Sequence, residues 1–445
     1  MRYDLVIRNG MVATPNGIEA TDIGVTAGKI AAIGMLAQAD AGHVYDAKGL
    51  TVLPGVIDSQ VHFREPGLEH KEDLASGTAA AAMGGVTAVF EMPNTKPSTA
   101  TAEELGEKLK RAQGRTHCDY AFYVGATAEN VEHLPELEKL PGCAGVKLFM
   151  GASTGDLLVA DDATLERVLR HGHRRMAVHC EDEYRMRDRK HLTEAAGATA
   201  HLHPEWRDAE SALIATTRLV SLARKVGRRV HVLHVTTWQE MDYLMAHKDI
   251  ATVETTPQHL TLFAPDCYDR LGTFAQMNPP IRDNEHREGL WRAIRAGVVD
   301  VIGSDHAPHT KEEKQKPYPQ SPSGMPGVQT LLPLLLDHMN QGRLSLQRLI
   351  DLTSAGAQRI FGIAGKGRIA LGYDADFTVV DLKAKKTIEE SWLKSKCGWS
   401  PFTGMAVTGW PVATIVRGGF AMRDGELGQP LGAPVRFGET LQPGA

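Results

Sequence analysis

Leu53-Pro54-Gly55-Val56-Ile57-Asp58-Ser59-Gln60-Val61-His62-Phe63-Arg64-Glu65-Pro66-Gly67 begins as an apolar run and ends in a crowd of polar side chains. A short apolar run marks a buried strand. Gln60, His62 and Arg64 alternate, so in extended chain they point the same way and form one wall at a strand terminus. Read alone, the stretch is equally a strand end with solvated polar residues. Its weight comes from later runs that end in the same manner.

Those runs are Val86–Met92, Tyr120–Gly125, Gly145–Met150, Met176–Cys180, Val230–Val235, Thr252–Thr255 and Val299–Ser304, which with Val56–Asp58 make eight. Helix-like segments such as Glu72–Met83 and Glu210–Lys225 fit between them. Repeated βα units of this kind close into a TIM-like (β/α)8 barrel, with its site at the C-terminal ends of the strands. The barrel is expected over residues 53–366. Residues 1–52 read as short strands (Asp4–Arg8, Gly17–Thr26, Lys29–Ile33) with turns at Asn9-Gly10, Asn16-Gly17 and Ala27-Gly28. Strands return in the tail at Tyr373–Asp381, Val412–Arg417 and Phe420–Arg423. Residues 1–52 and 367–445 are therefore expected to pair as one small β-sandwich, each half covering the other's open edge.

A chain of 445 residues, 42% apolar and 23% charged, can bury a large core. A net charge of −5 without a basic cluster argues against nucleic acid as a partner. No run approaches the length of a membrane helix and the N-terminus lacks a signal-peptide pattern, so a cytoplasmic protein is expected. The five cysteines lack CxxC spacing, and Cys180, next to His179 on a strand, faces the opposite way into the core. The Lys- and Pro-rich stretch Thr310–Pro326 reads as either a lid or a solvated surface loop.

Polar residues recur at the strand ends: Asn94 after the second, Lys147 within the fourth, His179 at the fifth, His234 at the sixth, and Asp305, His306 and His309 after the eighth. Each alone could close a strand, but convergent buried charge is costly unless paired or metal-bound. Lys147 stands in an apolar strand, where desolvation lowers an amine's pKa. Neutral, it can add carbon dioxide and become an anionic oxygen ligand. The bland alternatives are a lysine reaching the rim or one paired with Asp305.

His62-Phe63-Arg64-Glu65-Pro66-Gly67, Met92-Pro93-Asn94-Thr95, His179-Cys180-Glu181, Met277-Asn278-Pro279-Pro280-Ile281-Arg282 and Ser304-Asp305-His306-Ala307-Pro308-His309 together resemble the dihydroorotases of the amidohydrolase superfamily. The likeness spans essentially the whole chain. It implies zinc, as one or two ions, and a carboxylated Lys147 bridging them. His179 and His234 would hold the more exposed ion, and His62 and Asp305 the more buried one. Gln60 stands where the family pattern has histidine. An amide oxygen is the weaker ligand, so Gln60 is expected to bind weakly or not at all. The resemblance assigns Arg64, Asn94 and His309 to the substrate carboxylate, Asn278 to its ring, and Asp305 to proton transfer; His259 receives no role. It implies reversible hydrolysis of dihydroorotate to carbamoyl aspartate, in a homodimer that could associate with aspartate transcarbamoylase. The competing readings are a dihydropyrimidinase or allantoinase, and a non-catalytic scaffold.

Overall fold

Eight parallel strands alternate with helices in the computed structural model, which describes residues 2–36, 39–152 and 157–440. The barrel strands are Val56–Val61, Val86–Glu91, Asp119–Gly125, Cys143–Phe149, Met176–His179, Val230–Val232, Ala251–Thr255 and Val301–Ile302, paired in that order. The ring closes where His62 N–H donates to His306 O at 2.7 Å. The eighth strand is shorter than expected because its continuation bonds to side chains: Ser304 N–H donates to Asp58 Oδ1. The predicted helices run Leu74–Met83 and Ala209–Val226. Asp73 and Asp208 cap their N-termini, as short acceptor side chains do for unpaired amides.

The barrel interior below the site is packed with Phe90, Tyr123, Phe361 and Phe437. A second, larger cluster lies between the strands and the outer helices and includes Cys180, as the alternation predicts. All five cysteines are buried and unpaired. Among the described residues no helix is long and apolar enough to cross a membrane.

Two further sheets form the sandwich. One runs Lys29–Gly34, Asp22–Thr26, Tyr3–Arg8, Ala41–Asp46. The other mixes both chain ends: Glu426–Leu427, Gly419–Arg423, Ala406–Val416, Phe377–Thr387, Thr51–Pro54, Met11–Thr14, Gly17–Ala20. Apolar side chains from both sheets, such as Ile7, Val25, Val52 and Phe377, make one core. The single strand expected over Gly17–Thr26 is two, because the chain changes sheets at Thr21. Asp22 anchors the crossing by accepting from Asn9 N–H and Leu36 N–H. The strands Met11–Thr14, Ala41–Asp46 and Thr51–Pro54 were not anticipated; Ala41-Gly42-His43 in particular has little strand propensity. The last residues of the expected 367–445 segment, 441–445, lie outside the described residues.

Candidate active site

Gln60, His62, Arg64, Lys147, His179, His234, Asn278 and Asp305 line one small cavity at the C-terminal mouth of the barrel, with Phe149, Ala307, Ser323 and Gly324. Asn94 and His309 stand behind this wall, bonded to His62 and adjacent to Arg64. Regular alternation is not what aims Arg64. The strand ends at Val61, and Arg64 adopts φ 66°. His234 (φ 36°) and Asp305 (φ 45°) are likewise in the left-handed region, where non-glycine residues persist only if their surroundings hold them.

Lys147 reaches the cavity through a backbone irregularity. Ala144 belongs to the interior cluster, so strict alternation would turn Lys147 outward. Gly145, at φ 132°, breaks the period beside a register shift against the third strand. This is the local geometry of a bulge, which re-aims the side chains that follow. Gly324 serves the same wall differently. A Cβ there would lie 2.4 Å from Ala307 O, so only glycine lets the chain pass so close. The stretch Thr310–Pro326 is partly solvated: Gln315, Lys316, Pro317, Pro319 and Gln320 are exposed, but it opens with the helix Lys311–Lys314, buries Lys314, and brings Ser323 and Gly324 to the site.

Burial governs the electrostatics. It lowers Lys147 to about 7, against a smaller opposing pull from Asp305. Among the described residues the Lys147 ammonium has no ion pair; its partner is the face of Phe149, 4.3 Å from the ring centre. Burial also lowers His62, His179 and His234, keeping them neutral. His62 Nδ1–H donates to Asn94 Oδ1 at 2.8 Å. Its Nε2 lone pair then faces Asp305 Oδ1 at 3.2 Å. His179 Nε2–H donates to Glu181 Oε2 at 2.8 Å, leaving its Nδ1 lone pair 3.0 Å from His234 Nε2. His62 Nε2 and His179 Nδ1 thus carry lone pairs in a buried site beside the Asp305 carboxylate and His234, a donor set that a cation can occupy.

The buried Gln60 Oε1 and His234 Nδ1 lack partners among the described residues. No three of His, Cys, Asp and Glu converge on one point there. The donors come instead as two pairs, His62 with Asp305 and His179 with His234, and Lys147 shares the wall with both. Such a set fits metal ions if Lys147 supplies oxygen.

Several residues were not singled out by sequence reasoning. Burial alone would raise Glu181, but Arg207, with Nε 3.0 Å from Oε1, outweighs it and holds the carboxylate far below its usual range. The alternation of His179 with Glu181 was the available signal. His203 Nε2–H donates to Asn278 Oδ1 at 2.9 Å, turning the amide nitrogen of Asn278 outward. Glu254, beneath the site, accepts from Ser59 Oγ at 2.8 Å and is raised by burial to about 8.

Residues 51–421 match the Amidohydrolase family. A dihydroorotase of Halobacterium salinarum is 39% identical over 82% of this chain and 85% of its own. An allantoinase of Rubrobacter xylanophilus is 37% identical over 98% of each. The solved structure of the L-hydantoinase (dihydropyrimidinase) from Arthrobacter aurescens superposes with a TM-score of 0.92, at 31% identity, over 97% of this chain and 99% of that one. A match across most of the chain, shared by sequence and by fold, establishes that this protein belongs to the amidohydrolase family.

Proposed function

We propose that this amidohydrolase is a dihydroorotase, opening the ring of dihydroorotate to N-carbamoyl-aspartate and closing it in reverse. The observation that carries the reading is Arg64. It is only 2% exposed, lines the cavity, and has no carboxylate partner among the described residues. Its Nε–H donates to Pro308 O at 3.1 Å, and Nη2 lies 3.2 Å from His309 Nε2. A buried guanidinium without an anion calls for one from the ligand, and dihydroorotate differs from uncharged cyclic amides by its carboxylate.

His62, Lys147, His179, His234 and Asp305 would hold zinc, with Gln60 at most a weak ligand; bound there, the metal activates water and polarises the ring carbonyl. Lys147 would contribute as the free amine: its nitrogen bonds the carbon of carbon dioxide and releases a second proton to solvent, giving an N-carboxylate anion that supplies oxygen donors. Asp305 takes the proton from the attacking water and returns it to the ring nitrogen as the C–N bond breaks. Its backbone strain and the bond from Gln60 Nε2–H, at 3.1 Å, fix the carboxylate in place. Asn278, its oxygen occupied by His203, offers N–H groups to the ring.

The test compares kcat/KM for dihydroorotate, allantoin and hydantoin in the unmodified enzyme and in Arg64→Ala. Dihydroorotate should be preferred, and Arg64→Ala should lose on the order of 2–5 kcal/mol of that preference. The allantoinase relative, aligned over 98% of the chain, favours a second reading. Equal or better turnover of allantoin would establish it and overturn the first.

A further inference from the structure

His309 has different partners on its two ring nitrogens. Lys71 Nζ lies 3.0 Å from Nδ1. An ammonium has only protons to offer, so Nδ1 must be the accepting nitrogen. Burial keeps the ring neutral, lowering His309 to about 3, so its single proton sits on Nε2. That N–H faces Ser323 O at 3.0 Å. Arg64 Nη2, 3.2 Å from the same nitrogen, is also only a donor. The contact between Arg64 and His309 is therefore two donors side by side, with the imidazole N–H shared between Ser323 O and a carboxylate that enters beside Arg64.

Resting on the dihydroorotase reading, we infer that Lys71 is a positioning residue that fixes His309 as its Nε2–H tautomer, so that imidazole and guanidinium present N–H groups to the substrate carboxylate together. The neighbouring charge shows what Lys71 prevents. Glu313 Oε2 stands 3.7 Å from His309 Nδ1, and Glu313 Oε1 is held by Lys71 at 3.1 Å. Without the ammonium, the nearest charged group to Nδ1 is a carboxylate, which draws the ring proton onto that nitrogen. Nε2 would then turn a lone pair toward Ser323 O and accept from Arg64 Nη2–H, drawing that donor away from the substrate carboxylate. The ring cannot readily escape by moving its backbone, because Trp399 Nε1–H donates to His309 O at 2.7 Å. Lys71 is well placed for this work: its side chain is only 12% exposed and comes from the segment just after the first barrel strand.

The experiment uses the metal-loaded enzyme and the variants Lys71→Met and Lys71→Arg. Histidine-selective 15N labelling with long-range 1H–15N correlation reads the tautomer, and His309→Asn identifies the His309 signals. The unmodified enzyme and Lys71→Arg should show the Nε2–H pattern, and Lys71→Met the Nδ1–H pattern. In parallel, Lys71→Met should raise KM for dihydroorotate about tenfold or more while kcat moves less than roughly threefold, the loss of one charge-assisted hydrogen bond. Lys71→Arg should restore KM. An Nδ1–H pattern in the unmodified enzyme, an unchanged tautomer in Lys71→Met, or a tautomer change with no rise in KM overturns the inference. Should Lys71→Met fail to fold, the unmodified enzyme and Lys71→Arg still decide the tautomer. Absence of dihydroorotate turnover in the unmodified enzyme is a separate result that removes the substrate reading itself.

Discussion

Gln60 Nε2 lies 3.1 Å from Asp305 Oδ1, the same oxygen that His62 Nε2 approaches at 3.2 Å. An amide facing a carboxylate must present its nitrogen, so Gln60 acts on Asp305 as a hydrogen-bond donor. Its oxygen is the atom without a partner. To coordinate a metal the amide would have to turn over and give up the Asp305 bond. Two ions should therefore bind with unequal affinity, the His179–His234 position tightly and the His62–Asp305 position weakly. Gln60→His should raise the weaker affinity and leave substrate preference unchanged. Calorimetric titration of zinc into metal-free protein reads both constants. Two equally tight equivalents in the unmodified enzyme would show that Gln60 is no handicap.

Lys147 is held near a pKa of about 7 by burial, with an aromatic face as its neighbour. Near neutral pH a large fraction is free amine, the form that captures carbon dioxide. Lys147→Ala should lose bound metal and activity together. Acetate or propionate should restore part of both, because a small carboxylate fits the space left and supplies the missing oxygens. Metal content and turnover are measured with and without the added acid. Full metal and full rate in Lys147→Ala would mean that the lysine is structural.

Most of the barrel was legible because its strands are uninterrupted apolar runs and its polar residues stand at their ends. That logic places His62, Lys147, His179, His234 and Asp305 without knowledge of any contact. It does not show what each residue faces. Gln60 meets a carboxylate 245 residues away, and Lys71 meets His309 238 residues away. Local patterning carries no trace of such partners, so the sequence marks Gln60 as a poor ligand and not as a donor. Lys147 pointed the right way for a reason the pattern missed, the irregularity at Gly145. The sandwich was harder, since edge strands such as Ala41–Asp46 are exposed and lack a strong apolar period.

His338 offers a test of acid sensitivity away from the site. It packs against Trp291 with ring centres 4.8 Å apart, and its Nε2 lies 2.9 Å from Thr261 Oγ1. Burial, helped by Arg343 and Arg287, lowers it from 6.5 to about 4. Between those values the unfolded chain takes up a proton that the folded chain refuses. The unfolded state then binds more protons, so stability falls as pH drops from about 6.5 to about 4. His338→Gln removes this term, which is on the order of 2–3 kcal/mol. Relative to the unmodified protein, the variant should gain stability at about pH 4.5 compared with about pH 7.5 in urea unfolding. The same stability difference at both pH values would refute the assignment.

Glu181 and Arg207 set the last expectation. His179 Nε2–H donates to Glu181 Oε2, which fixes the ring's tautomer and turns its Nδ1 lone pair toward His234. Arg207 grips the same carboxylate, and both residues are almost fully buried. A ligand histidine held by a carboxylate is both oriented and made more basic. Glu181→Gln keeps an acceptor for the imidazole but removes the charge and leaves Arg207 without its counter-ion. Zinc affinity at the His179–His234 position should fall about 10–100-fold. The His62–Asp305 position has no contact with Glu181 and should change far less. Calorimetric titration of metal-free Glu181→Gln separates the two positions, and circular dichroism checks that the variant is folded. A folded variant with unchanged tight-site affinity would show that Glu181 anchors Arg207 and the surrounding loops but does not tune the histidine.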